Sequence, residues 1–101
     1  MIRRKRIYTV YLLECQGGAF YCGYTSDLQK RLEKHQTGKG GRYTRSHRPV
    51  RLVYAEKHDS LSHALSREHA IKRLTRMQKV QLIHAQLPKR IFNKRNSQYP
   101  M

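Results

Sequence analysis

"VYLLECQGGAFYCGYT", residues 10–25, is the stretch whose pairing sets the fold. Two runs rich in β-formers flank Gln16-Gly17-Gly18, the pattern of a hairpin. Three tyrosines lie within it: Tyr11, Tyr21 and Tyr24. If Cys15 opposes Ala19 across a three-residue turn, Leu13 opposes Tyr21 and Tyr11 opposes Gly23. Both phenols then share a face, and Gly23 leaves a gap beside Tyr11. If a two-residue Gly17-Gly18 turn pairs Gln16 with Ala19, the register slips by one and the two phenols point to opposite faces. Glycine suits either turn, so the hairpin alone leaves both registers open.

The chain holds 22 Lys+Arg against 6 Asp+Glu, a formal net charge of +16 in 101 residues. That length allows one domain with a modest core and favours a surface-built site. The charge excess favours a polyanionic partner, most simply nucleic acid. Cys15 and Cys22 lack metal-type spacing and read as reduced, apolar core residues. The apolar run after the basic start is too short to span a membrane and contains Glu14, so the expected location is the cytoplasm, with no membrane partner.

Along the chain, residues 7–15 and 19–24 read as strands. Ser26, with Gln29 three residues on, forms a capping-box pattern opening a helix over 27–37, stopped by Gly38. "GKGGRYTRSHRP", residues 38–49, has no acid and reads as a flexible cationic loop. Residues 50–57 alternate as a third strand. Ser60 caps a helix over 61–74, and Thr75 with Gln78 opens another that ends before Pro88. The order β-β-α-β-α-α predicts an α+β fold: a three-stranded antiparallel sheet flanked by helices. Residues 1–87 form a single domain, and residues 88–101 read as a basic, flexible tail.

Certain residues sit where packing alone would not put them. Leu61, Ala64, Leu65, Ile71 and Leu74 mark one face of the second long helix, and Glu68 falls on the same stripe. A buried acid needs an ion-pair partner or a metal. On the first helix, Arg31 and His35 lie four apart, beside the Leu28/Leu32 stripe. Arginine grips phosphate in a bidentate way, and histidine moves protons near neutral pH.

"TVY" at residues 9–11 and "YCG" at residues 21–23 resemble the two halves of the GIY-YIG nuclease signature. The letters depart from the namesake motif, but both tyrosines and the final glycine stand. Arg31, His35 and Glu68 fall where that family's helical arginine, nearby histidine and metal-binding glutamate would fall. "HQTGKGGRYTR" (35–45) and "ALSREHAIKRL" (64–74) resemble the small stand-alone bacterial members, and the resemblance spans residues 7–85. A polar residue, often Asn, that many members carry near the end of the domain has no assigned counterpart.

The resemblance implies metal-dependent hydrolysis of phosphodiester bonds and two phenols on one face, which favours the three-residue turn. It implies Tyr11 as base or proton relay, Tyr21 orienting water or a phosphate oxygen, and Arg31 stabilising charge on phosphate. His35 would assist proton transfer, and Glu68 would hold Mg²⁺ or Mn²⁺ weakly until substrate completes the shell. Lys39, Arg42, Arg45 and Arg48 would hold the backbone, with Tyr43 able to stack on a base. The expected partner is DNA rather than RNA, cut with low sequence specificity in repair, recombination or uptake, with a partner protein supplying the address. The alternative is a non-cutting nucleic-acid-binding module acting as an accessory protein. A third reading, a small basic ribosome-associated protein, explains the charge but not Glu68 on an apolar stripe.

Overall fold

The structure, a computed structural model, describes residues 6–86. The predicted basic tail, 88–101, lies outside the described residues. The elements are β1 (Tyr8–Cys15), β2 (Phe20–Thr25), α1 (Leu28–Gln36), α2 (Arg42–Ser46), β3 (Val50–His58), α3 (Leu61–Lys72) and α4 (Arg76–Gln86). The strands form one antiparallel sheet in the order β2-β1-β3. The α+β architecture is the predicted one, with one helix more than expected: the stretch read as a flexible loop contains α2.

The hairpin takes the three-residue register. Cys15 N–H donates to Ala19 O at 2.8 Å, and Gly18 N–H donates to Cys15 O at 2.9 Å. Gly17 and Gly18 adopt φ of 90° and 91°, a region that side chains disfavour. Tyr11 therefore pairs with Gly23 and Leu13 with Tyr21. Strand β1 is central and covered on both faces, which is why it reads as a near-continuous apolar run. One face packs Val10, Leu12, Cys22 and Tyr54 against Ala64 and Ile71 of α3. The other packs Tyr11, Leu13, Cys15 and Val50 with Tyr21, Leu28 and Leu32. Both cysteines are free and buried, as expected.

Two helix details depart from the expectation. Asp27, not Ser26, caps α1: its carboxylate accepts from Lys30 N–H at 3.1 Å, and Thr25 Oγ1 accepts from Asp27 N–H at 3.0 Å. A charged acceptor at the positive end of the helix outcompetes a hydroxyl one residue earlier. On α3, Leu61 and Leu65 are 42% and 41% exposed. The helix is rotated so that Ala64 and Ile71 face the sheet with Arg67 and Leu74 to one side, and at 100° per residue Leu65 turns outward. The Ser60 cap and the reciprocal Thr75–Gln78 box form as predicted.

Arg67 turns inward because it grips Glu56 of β3, at 2.7 and 2.9 Å. Tyr54 Oη donates to the same carboxylate at 2.5 Å and His58 Nε2 at 2.6 Å. Burial alone would raise the Glu56 pKa. Hydrogen bonds from Arg67, Tyr54 and His58 more than offset it and hold the value at about 2. A carboxyl depressed in the fold contributes stability above its unfolded pKa and loses it as pH falls toward the folded value. Glu56→Ala is expected to lower unfolding free energy by about 2 kcal/mol at neutral pH, less than a fully buried pair because Arg67 is partly in water. Urea titrations should show the gap between variant and wild type narrowing as pH falls toward about 2.

Candidate active site

Tyr11 leaves the sheet on the α1 face with its ring 1% exposed. Gly23 makes room for it: a Cβ at that position would stand 2.6 Å from the Tyr11 hydroxyl and 2.8 Å from Cζ. The hydroxyl meets His35 Nε2 at 3.0 Å. His35, in the last turn of α1, is fully buried, and its Nδ1 lies 2.8 Å from Thr44 Oγ1 on α2. Gly40 packs against the imidazole so closely that a Cβ there would overlap the ring and the His35 Cα. Tyr21 presents its ring edge-on to His35, with centroids 5.1 Å apart.

Arg31 lies one helical turn before His35 and is half-buried. Its Nη2 donates to Gly40 O at 2.7 Å, tying α1 to the cationic loop. Burial pushes the Tyr11 phenol above its ordinary pKa, while hydrogen bonding and charge from Arg31 pull the other way. Burial, then the charge of Arg31, pushes His35 below its ordinary value. In the free protein the pair is thus a neutral phenol against a neutral imidazole, beside a guanidinium. Both shifts keep the phenol proton on Tyr11 in the free protein; an anion that balances Arg31 would lift one of the two causes that hold His35 unprotonated.

Four of the sequence-predicted residues, Tyr11, Tyr21, Arg31 and His35, therefore gather on one face. Glu68 does not join them by contact. It sits on α3, whose face of the sheet carries Cys22; the Cys22 thiol approaches Glu68 O at 3.9 Å. The Glu68 side chain is 16% exposed and ion-paired to Lys72 at 3.2 Å. Strand β2, which carries Cys22, is an edge of the sheet, and α3 packs on the face opposite Tyr11. Among the described residues no cluster of three or more metal-binding side chains occurs.

Lys39, Arg42 and Arg45 line one cationic depression of about 410 Å³ with Gly38 and Gly41. Arg48 is turned aside: its Nε donates to Arg45 O at 3.2 Å, and its guanidinium covers Gly38. Tyr43 is exposed and stacks flat on His47 at 3.9 Å. A second depression, of about 290 Å³, is lined by Thr25, Ser26, Asp27, Lys30, Arg31 and Lys34. Lys30 and Lys34 belong to no sequence motif, and the only signal that joins them to Arg31 is their spacing on one helix. Thr44 and Gly40 gave no periodic signal; the glycine-rich run was the only hint of a close approach.

The family model for the GIY-YIG catalytic domain matches residues 7–81. The chain belongs to this family, which is of the nuclease type and generally uses divalent metals. Over 74 residues it is 46% identical to a UPF0213 protein of Staphylococcus saprophyticus and 47% identical to one of Staphylococcus aureus. Each alignment spans 73% of this chain and 90% of the relative. Two solution structures share the fold. The UPF0213 protein of Bacillus halodurans is 41% identical with a TM-score of 0.54, covering 79% of this chain and 85% of the other. A protein from E. faecalis is 40% identical with a TM-score of 0.57, covering 83% and 90%. Among the described residues no helix is long and apolar enough to cross a membrane.

The contact between Gly23 and Tyr11 is testable directly. Gly23→Ala is expected to lower unfolding free energy by about 2 kcal/mol, because the added methyl must displace a packed ring. An unchanged urea midpoint would contradict the close approach.

Proposed function

We propose that the protein is a divalent-metal-dependent nuclease that hydrolyses phosphodiester bonds in DNA with low sequence specificity. The observation that carries this reading is the buried Tyr11–His35 hydrogen bond with Arg31 beside it, in a basic domain of a nuclease-type family. Arg31 binds a non-bridging phosphate oxygen, and its charge is worth most as negative charge builds on phosphorus. The attacking water gives its proton to the Tyr11 oxygen as the phenol proton passes to His35 Nε2. Tyr21 orients the water or a phosphate oxygen. The Lys39, Arg42 and Arg45 depression holds the flanking backbone electrostatically, with Arg48 and Tyr43 at its margin.

Glu68 would hold the metal. A single carboxylate suits a hard cation that keeps most of its waters, which favours Mg²⁺ or Mn²⁺. Lys72, more than half exposed, can swing away from the carboxylate into solvent. When bound, the ion supplies positive charge to the leaving oxygen. A strand of DNA lying past the free edge of β2 would meet Arg31 from one face and Glu68 from the other. Repair, recombination or uptake of DNA are the settings that fit, with a partner protein providing the address.

The separation of Glu68 from the tyrosines favours one competing reading, a module that binds nucleic acid without cutting. The two differ in one assay. Labelled single-stranded, duplex and branched DNA and RNA are incubated with Mg²⁺, Mn²⁺ or EDTA. The nuclease reading expects metal-dependent products that fall at least about a hundredfold in Glu68→Ala and in Arg31→Ala, with Glu68→Ala still binding. Salt-sensitive binding with no product on any substrate would make the binding module the better account.

A further inference from the structure

Thr44 belongs to no catalytic assignment above, yet it is fully buried, and its Oγ1 hydrogen-bonds with His35 and with the carbonyl of Gly41, the N-cap of α2. The hydrogen bonds around it form an ordered chain. Thr44 Oγ1 lies 3.4 Å from Gly41 O, which can only accept, so the threonine proton points there. The threonine oxygen is then free to accept from His35 Nδ1–H at 2.8 Å. That leaves Nε2 with a bare lone pair facing Tyr11 at 3.0 Å. From the other side, the Tyr11 hydroxyl has His35 Nε2 as its hydrogen-bond partner at 3.0 Å, and the neighbouring Arg31 can only donate, so Nε2 is the acceptor for the phenol proton. Both ends of the chain assign the same tautomer.

We infer that Thr44 is a positioning residue: its hydroxyl locks His35 as the Nδ1–H tautomer, so that Nε2 stands ready to take the proton of Tyr11. The inference rests on the nuclease reading for its catalytic meaning, and on hydrogen-bond geometry alone for the tautomer. In the transfer, the phenol O–H bond breaks and an Nε2–H bond forms. The resulting imidazolium keeps its Nδ1–H on Thr44, and the phenolate oxygen accepts the proton of the attacking water. The titratable and charged groups facing His35 are Tyr11 from β1, Tyr21 from β2 and Arg31 from its own helix. Gly40 and Gly41 are the loop positions that let α2 bring Thr44 this close. Gly40 admits no side chain against the imidazole, and Gly41 supplies the carbonyl that takes the threonine proton.

The experiment reads the tautomer and the chemistry separately. Long-range ¹H–¹⁵N spectra of the full chain report which His35 ring nitrogen carries the proton, in wild type, Thr44→Ser and Thr44→Val. The expected result is a protonated Nδ1 in wild type and Thr44→Ser, and loss of that single tautomer in Thr44→Val. Cleavage should fall about tenfold or more in Thr44→Val, as for other groups that orient a catalytic histidine, with an altered pH–rate profile. Both should recover in Thr44→Ser. If Thr44→Val does not fold, Thr44→Ala takes its place. Wild-type His35 protonated on Nε2 would overturn the inference. So would a Thr44→Val or Thr44→Ala protein that keeps the Nδ1–H tautomer and the wild-type pH profile. If wild type cuts no substrate, the nuclease reading fails, and the ring-nitrogen spectra still decide whether Thr44 holds the tautomer.

Discussion

A phenol and an imidazole, both almost wholly out of water, share one hydrogen bond of 3.0 Å between β1 and α1. Neither polar group can be buried here without the other, since an unpaired buried donor or acceptor costs about 1–3 kcal/mol. Much of the α1 side of the molecule follows from this pair. The hairpin must take the register that turns Tyr11 toward α1. Position 23 must lack a side chain so that the phenol fits. The loop after α1 must fold back so that Thr44 satisfies the second ring nitrogen. The short helix α2 delivers that threonine, and Arg31 clamps the loop by its bond to Gly40.

The distribution of charge supports the same division of labour. Four of the six acids are engaged away from the cationic loop or in capping: Glu14 with Arg51, Asp27 at the start of α1, Glu56 with Arg67, and Glu68 with Lys72. The loop from Gly38 to Arg48 has no acid of its own. Its cations therefore present an unbalanced field beside Arg31, as a phosphate backbone requires. The opposite face of the sheet is different in character: Arg67, Glu56, Tyr54 and His58 form a closed network that joins α3 to β3.

Strands, helices and most caps were legible in the sequence because they depend on local pattern: β-formers around a Gly-Gly turn, Ser60 before an apolar run, Thr75 reciprocated by Gln78. Tyr11, Tyr21, Arg31 and His35 were legible as candidates through their resemblance, in order and spacing, to the GIY-YIG signature, while the hairpin by itself left both registers open. What was not legible depends on contacts between distant parts of the chain. The cap at Asp27 was decided by two competing acceptors one residue apart. Outward-facing Leu65 followed from the grip of Arg67 on a strand eleven residues earlier. Thr44 looked like one polar residue in a basic loop, and only the folded approach of Gly40 and His35 gives its hydroxyl a role. Glu68 was readable as an acid on an apolar stripe, but the place of α3 on the sheet face opposite Tyr11 was not.

The central claim is that the Tyr11 hydroxyl does chemistry and does not merely fill the core. Tyr11→Phe keeps the ring and removes only that oxygen. Cleavage of labelled DNA and the urea midpoint should be measured on the same preparation, below the variant's own unfolding transition. The account predicts a folded protein, destabilised by about 1–3 kcal/mol because His35 Nε2 loses its partner, with cleavage reduced at least about a hundredfold. A variant destabilised to that extent but cutting at the wild-type rate would contradict the account, and would make the Tyr11–His35 pair a strut of the fold.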